Sequence, residues 1–187
     1  MFESWVYSRS SSVKEIFDRK QYLDRKWRMV ADYNKAPGGV QHGLSLWLDG
    51  NDSSTMFQDS CSSTLTAVSS DSDPVGCWMD KSGNGNHVSS VSGSPSFITN
   101  EFNAKSVLRF SGAEHMSVSD LLSMNGGDEA FTVFAVASTS QTSNKTILGI
   151  GDNSSNSKES WRLQVGDGRY RSFFANAQVA SNIDSPV

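Results

Sequence analysis

The stretch Trp78-Met79-Asp80-Lys81-Ser82-Gly83-Asn84-Gly85-Asn86-His87 decides how the rest of the chain is read. Asp80 and Ser82 carry short polar side chains that bond to the backbone following them, as in an Asx-type turn. Gly83 and Gly85 then tolerate the positive φ angles that reverse a chain. Trp78 suits the edge of a core, and His87 closes the turn. The stretch therefore reads as a fold-keeping turn built on Trp78, Asp80, Ser82, Gly83 and Gly85.

On both sides of this turn the apolar period is about two. Leu44, Leu46 and Leu48 alternate with Ser45 and Trp47, Leu108 and Phe110 with Val107 and Arg109, and Trp161, Leu163 and Val165 with Arg162 and Gln164. Each run reads as a strand with one face inward. Phe131 through Ala137 is apolar on both faces apart from Thr132, which predicts a central strand covered on both sides. Shorter strands are expected at 88–91, 97–99, 115–118, 146–150 and 170–176. Clusters such as Asn125-Gly126-Gly127-Asp128 and Gly166-Asp167-Gly168 separate them as connections. Many short strands with no long helical pattern after residue 40 predict an all-β, antiparallel sandwich or jelly roll.

Residues 12–34 are different. Ser12 and Glu15 have capping-box spacing, and Asn34 to Gly39 with Pro37 supplies a stop. Val13, Ile16, Phe17, Leu23, Trp27, Val30 and Tyr33 fall along one stripe, interrupted by Lys20. The spacing approaches a heptad over about three repeats, so the helix either pairs with a copy of itself or lies on its own domain or a larger partner. Ile16, Phe17, Leu23, Trp27 and Val30 are the candidate assembly residues. The expected organisation is a helical anchor at 1–40 and a β-sandwich at 41–187.

Charge and composition narrow the function. The 187 residues have a net charge of −4, with 36% hydrophobic and 19% charged residues, a globular composition. Residues 1–40 carry eight Lys/Arg against five Asp/Glu, and residues 41–187 carry eight against fifteen. Most of the chain would repel phosphate, so nucleic acid is not an expected partner. No apolar run approaches the roughly 20 residues that cross a bilayer, and no signal peptide is read after Met1, so membrane insertion is not expected. Cys61 and Cys77, sixteen positions apart, are either a disulfide closing a short loop or two thiols in a reducing compartment.

The order of motifs resembles the laminin-G-like, concanavalin A-like lectin/glucanase superfamily. It is carried by Gly43 to Asp52, the Trp78–His87 stretch, Val107 to Gly112 and Phe131 to Val136. The resemblance runs from about residue 42 to the end and implies a concanavalin A-like jelly roll. Members usually continue with further strands after the point matching Tyr170 to Asn176, so the sandwich is expected to be incomplete at its C-terminal end or closed by a neighbouring copy. Such domains often bind Ca²⁺ at strand-end loops, which here points to Asp49, Asn51, Asp52 and Asp152, residues that equally build ordinary turns. No other cofactor is expected.

Catalytic patterns are weak. Glycosidases of this fold need two carboxylates about 5 to 9 Å apart, commonly from alternating acidic residues on a strand. Glu101, Glu114, Glu129 and Glu159 are scattered instead, and His42, His87 and His115 form no metal-ligand pair. No catalytic residue is assigned. A sugar would need an aromatic platform beside polar loops, for which Trp161, Tyr170 and Phe173 are the candidates. The expectation is a non-enzymatic structural or adhesion protein of a virus particle, such as a phage tail fibre, spike or decoration protein. It would be a homo-oligomer held to other virion proteins through residues 1–40, with a cell-surface glycan as its outward partner. The alternative is a carbohydrate-binding module of a bacterial secreted or cell-surface protein.

Overall fold

The computed structural model describes residues 12, 14–16, 18, 19, 22, 36–39, 43–62, 64–118, 131–140, 143–150, 161–166 and 169–174. The protein is mostly β, with antiparallel sheets and almost no helix among these residues. The chain divides into two compact units, Met1–Leu121 and Leu122–Val187.

The first unit is built around β1 (Met56–Phe57) and β2 (Cys77–Trp78), followed by β3 (Val88–Ser92), β4 (Ser96–Phe102), β5 (Lys105–Arg109) and β6 (His115–Ser117). One sheet has the order β1-β2-β3-β6, and β4 pairs with β5. Strand alternation distributes the core. Met56 sits opposite Trp78 and Phe57 opposite Cys77, so each pair shares a face. Phe57 and Cys77 join Cys61, Leu65 and Met79 in one apolar cluster. Met56 and Trp78 join Val68, Val75, Phe97, Leu108 and Met116 in the other. These short strands are thus covered on both faces.

The Cys61–Cys77 alternative resolves as a disulfide. It lies inside the first cluster, with Cys77 fully buried. Closing a loop of sixteen residues contributes about 3 kcal/mol in the chain-entropy model. The return path requires Gly76, whose N–H donates to Phe57 O at 2.8 Å. A Cβ there would lie 2.5 Å from Gln58 O.

The second unit holds β7 (Lys145–Ile150), β8 (Trp161–Gly166) and β9 (Arg169–Phe174) in that order, all antiparallel. The expected central strand at Phe131 to Ala137 is not formed. Residues 131–140 belong to no strand, and Phe134 and Val136 are 94% and 99% exposed. An apolar run states a demand for cover, but the backbone partner depends on distant residues, and β7, β8 and β9 pair with one another instead. The Leu44 to Leu48 alternation likewise forms no strand, for a reason given below.

At the N-terminal end, Ser12 and Glu15 make the expected reciprocal cap. Ser12 N–H donates to Glu15 Oε2 at 2.9 Å and Glu15 N–H to Ser12 Oγ at 3.2 Å. Lys14, Glu15, Ile16, Asp18, Arg19 and Tyr22 are helical. Ile16 is exposed, while Phe17, Leu23, Trp27 and Val30 lie outside the described residues.

Asn103 and Ala104 connect β4 to β5 with φ of 48° and 59°. This two-residue reversal suits Asn-Gly, and alanine in the left-handed region is strained. Ala104→Gly is expected to stabilise the protein by about 1 kcal/mol, net of the extra chain entropy of glycine. Chemical denaturation checks the increase; an unchanged or lowered midpoint would show that the turn is unstrained.

Candidate functional site

The polar centre of the first unit is the carboxylate of Asp80, which is 1% exposed. Its Oδ1 accepts Trp47 N–H at 2.9 Å and Ser82 N–H at 2.8 Å. Its Oδ2 accepts the Ser82 hydroxyl at 2.6 Å and Asn86 N–H at 3.1 Å. Four donors compensate a charge that burial alone would make costly. Gly83 and Gly85, with φ of 85° and 78°, let the chain circle back so that Asn86 reaches the same carboxylate as Ser82. Trp78, Asp80, Ser82, Gly83 and Gly85 therefore hold the turn as read from the sequence, and Trp78 packs against the core. The Trp78 Nε1–H is buried with no hydrogen-bond partner among the described residues.

The same turn captures residues 44–47. Asn84 Nδ2 donates to Leu44 O at 2.6 Å, Asn86 Nδ2 to Ser45 O at 2.8 Å, and Lys81 N–H to Trp47 O at 2.8 Å. These bonds use backbone groups that a strand ladder would need, so Leu44 to Leu48 belongs to no strand.

Asp49, Asn51 and Asp52 come together beside this segment. The cation between the two carboxylates is internal. Lys81 Nζ lies 2.9 Å from Asp49 Oδ2 and 2.7 Å from Asp52 Oδ2, and 4.6 Å from the centroid of the Trp47 ring. Its side chain is 10% exposed. Burial pushes the Asp52 carboxyl up, but the bonds from Lys81 and Ser54 outweigh it and hold Asp52 below the usual carboxylate range. Burial lowers Lys81, and Asp52 and Asp49 more than compensate, leaving the ammonium above the usual lysine range. Asn51 Oδ1 accepts Ser106 N–H at 3.2 Å, tying the loop to β5. The oxygen ligands proposed for Ca²⁺ are thus engaged by Lys81 and by backbone, and Asp152 lies outside the described residues. Among the described residues no group of three or more His, Cys, Asp or Glu is arranged to hold a metal ion.

Other carboxylates are used in the same structural way. Asp73 accepts Ser69 N–H and Ser70 N–H at 2.8 and 2.9 Å, and Asp71 accepts Thr99 N–H at 2.8 Å. The Ser111 hydroxyl, with the neighbouring backbone N–H groups, holds Glu114 down to about 2. Glu101 pairs with Arg109.

The aromatic candidates sit in the second unit. Trp161 is half-buried, its Nε1–H donates to Ser172 Oγ at 2.7 Å, and Phe131 meets it edge-on at 5.7 Å. Tyr170 is half-buried opposite Val165. Alternation puts Trp161, Val165 and Tyr170 on one face, with Trp161 and Tyr170 separated by about 13 Å along the strands. Phe173 pairs with Arg162 through the backbone, and its side chain is outside the described residues. Trp161 and Tyr170 do not form a single stacking surface.

Two contacts were not legible in the sequence. One is Lys81 as an internal cation, hidden because its partners lie 32 and 29 positions away. The other joins the helical leader to the turn: His87 Nε2 lies 2.8 Å from Asp18 Oδ1 across 69 positions. Spacing carries no signal for either.

No protein-family model matches the chain, and no curated protein matches it. Among solved structures, the chain is similar to an S-layer domain-containing protein (residues 221–444) from Clostridium thermocellum, with 14% identity and a TM-score of 0.44. The match covers 76% of this chain and 58% of that one, so this chain spans less than two thirds of its neighbour.

Removing Lys81 leaves Asp49 and Asp52 facing each other without a cation. Lys81→Met is expected to cost about 2 kcal/mol near neutral pH. Because the folded ammonium is raised, its contribution is complete below the unfolded lysine value of about 10.4 and is lost as pH rises through the folded value. Denaturation curves of wild type and variant should therefore converge at strongly alkaline pH. A gap that persists there would assign the loss to packing on Trp47 instead.

Proposed function

We propose that the protein is a non-enzymatic structural and adhesion component displayed on the surface of a virus particle, with a concanavalin A-like sandwich as its outward module. The observation that carries this reading is the buried Cys61–Cys77 disulfide. Structural disulfides persist in oxidising settings, on virion and cell surfaces and in secreted proteins, and are rare where thiols are kept reduced. The chemistry around it agrees. The polar side chains of the Asp80 turn hold one another and the backbone, and Asp49 and Asp52 both pair with Lys81. Among the described residues, such a site uses its polar side chains to maintain a shape.

The sandwich reading rests on the motif order at 43–52, 78–87, 107–112 and 131–136, together with an antiparallel sheet in which the short strands β1 and β2 are covered on both faces. In this reading residues 1–40 engage neighbouring virion proteins and favour a homo-oligomer, while the β portion faces a cell-surface glycan. Residues 131–140, with Phe134 and Val136 bare, add an apolar surface suited to an assembled state.

Immunoelectron microscopy with an antiserum to the full chain is expected to label the outside of intact virus particles. Label absent from particles, combined with glycan-array binding by the purified chain that Trp161→Ala or Tyr170→Ala abolishes, would overturn the assignment. That result would establish a carbohydrate-binding module of a secreted or cell-surface protein.

A further inference from the structure

The turn that holds residues 44–47 contains Asn84-Gly85, a pair in which the backbone can attack the side chain. The nitrogen of Gly85 is bonded to the Asn84 carbonyl carbon, so its attack on Asn84 Cγ closes a five-membered ring. Two features favour that attack. Gly85 carries no side chain to crowd its nitrogen, and even a Cβ built on it would meet nothing within 4 Å. Asn84 is exposed, so water and hydroxide reach the reacting atoms. One feature slows it. Asn84 Nδ2 donates to Leu44 O at 2.6 Å, to Ser82 Oγ at 3.0 Å and to Ser45 O at 3.3 Å, which holds the carboxamide while residues 44–47 are docked.

We propose that Asn84 is a site of spontaneous deamidation whose products loosen the docking of residues 44–47 on the turn. Hydroxide takes the Gly85 N–H proton, the nitrogen bonds Asn84 Cγ, and the Cγ–Nδ2 bond breaks. Nδ2 leaves as ammonia, taking a proton from water and regenerating hydroxide. Water then opens the cyclic imide. Opening at Cγ leaves aspartate, and opening at the main-chain carbonyl leaves isoaspartate, with the chain running through Cγ. The sum is one water consumed and one ammonia released, with no change of oxidation state.

Both products undo the docking, by different means. In aspartate an oxygen stands where Nδ2 stood and faces Leu44 O and Ser45 O, carbonyls with no proton to give. The Ser82 hydroxyl cannot turn to it without leaving Asp80 Oδ2, which it bonds at 2.6 Å, so the new charge lies one hydroxyl away from the Asp80 carboxylate. Isoaspartate also lacks the Nδ2 donor, and it adds a backbone carbon between Ser82 and Asn86, whose N–H groups must both reach Asp80. Losing a donor weakens the segment; setting acceptor against acceptor repels it as well. This reversal depends on Nδ2 alone, whatever else Asn84 touches. The change is one-way, so it accumulates with the age of each molecule. The proposal is independent of what the protein is displayed on.

The test uses the full chain with its disulfide intact. In warm, mildly alkaline buffer, peptide mapping of the native chain should find Asn84 converting to aspartate and isoaspartate, more slowly than in the same chain unfolded in urea. The converted fraction, separated by its added charge, should show opening constants for the Trp47 and Lys81 amides raised at least about tenfold in hydrogen exchange corrected for intrinsic rates. Asn84→Asp should give that rise without incubation. Asn84→Ala, which deletes the donor without adding the charge, should give a clearly smaller one. A native chain that keeps Asn84 intact or converts it as fast as the unfolded chain, a converted fraction with unchanged opening, or equal rises in the two variants would each overturn the proposal. Should Asn84→Asp fail to fold, the aspartate form isolated from the wild-type chain, which folds before it reacts, takes its place in the comparison with Asn84→Ala.

Discussion

One buried carboxylate organises the first unit. Asp80 accepts bonds from Trp47, Ser82 and Asn86, so a single charge joins the 44–47 segment to the 80–87 turn. Because it is compensated only while all its donors are in place, it acts as a cooperative restraint: losing any one leaves the others holding an under-solvated anion. Lys81 follows from this arrangement. Its backbone N–H bonds Trp47 O, and its side chain then lies along the Trp47 ring to reach Asp49 and Asp52. The disulfide performs the matching task in the apolar layer, anchoring Cys61 on β2.

What could be read from the sequence was local. The turn at 78–87 was legible because an Asx-type acceptor followed by glycines has few backbone solutions. The Ser12–Glu15 cap was legible because its spacing is its mechanism. Strands β3 to β9 fall within or beside the runs that alternation marked. β1 and β2 were not foreseen: at two residues each, they are too short to show any period, although they are central to both apolar clusters.

The misreadings share a cause in non-local competition. Leu44 to Leu48 alternates like a strand, yet its backbone groups are taken by the side chains of Asp80, Asn84 and Asn86. Asp49, Asn51 and Asp52 suit a calcium loop and an ordinary turn alike, and the lysine some thirty positions away that pairs with both carboxylates leaves no trace in their spacing. Phe131 to Ala137 has the composition of a doubly covered strand, but composition cannot name the strand beside it. Of the candidate sugar platform, Trp161 is braced by Ser172 and Phe131, a placement that alternation within β8 alone could not give.

Amide hydrogen exchange of the native chain near neutral pH tests the Asp80 account most directly. If one carboxylate unites these stretches, the amides of Trp47, Ser82 and Asn86 share a single slow opening, with the same denaturant dependence as global unfolding. A Trp47 amide that exchanges at the rate of an exposed loop, while Ser82 and Asn86 remain protected, would show that the turn stands alone and would contradict the account.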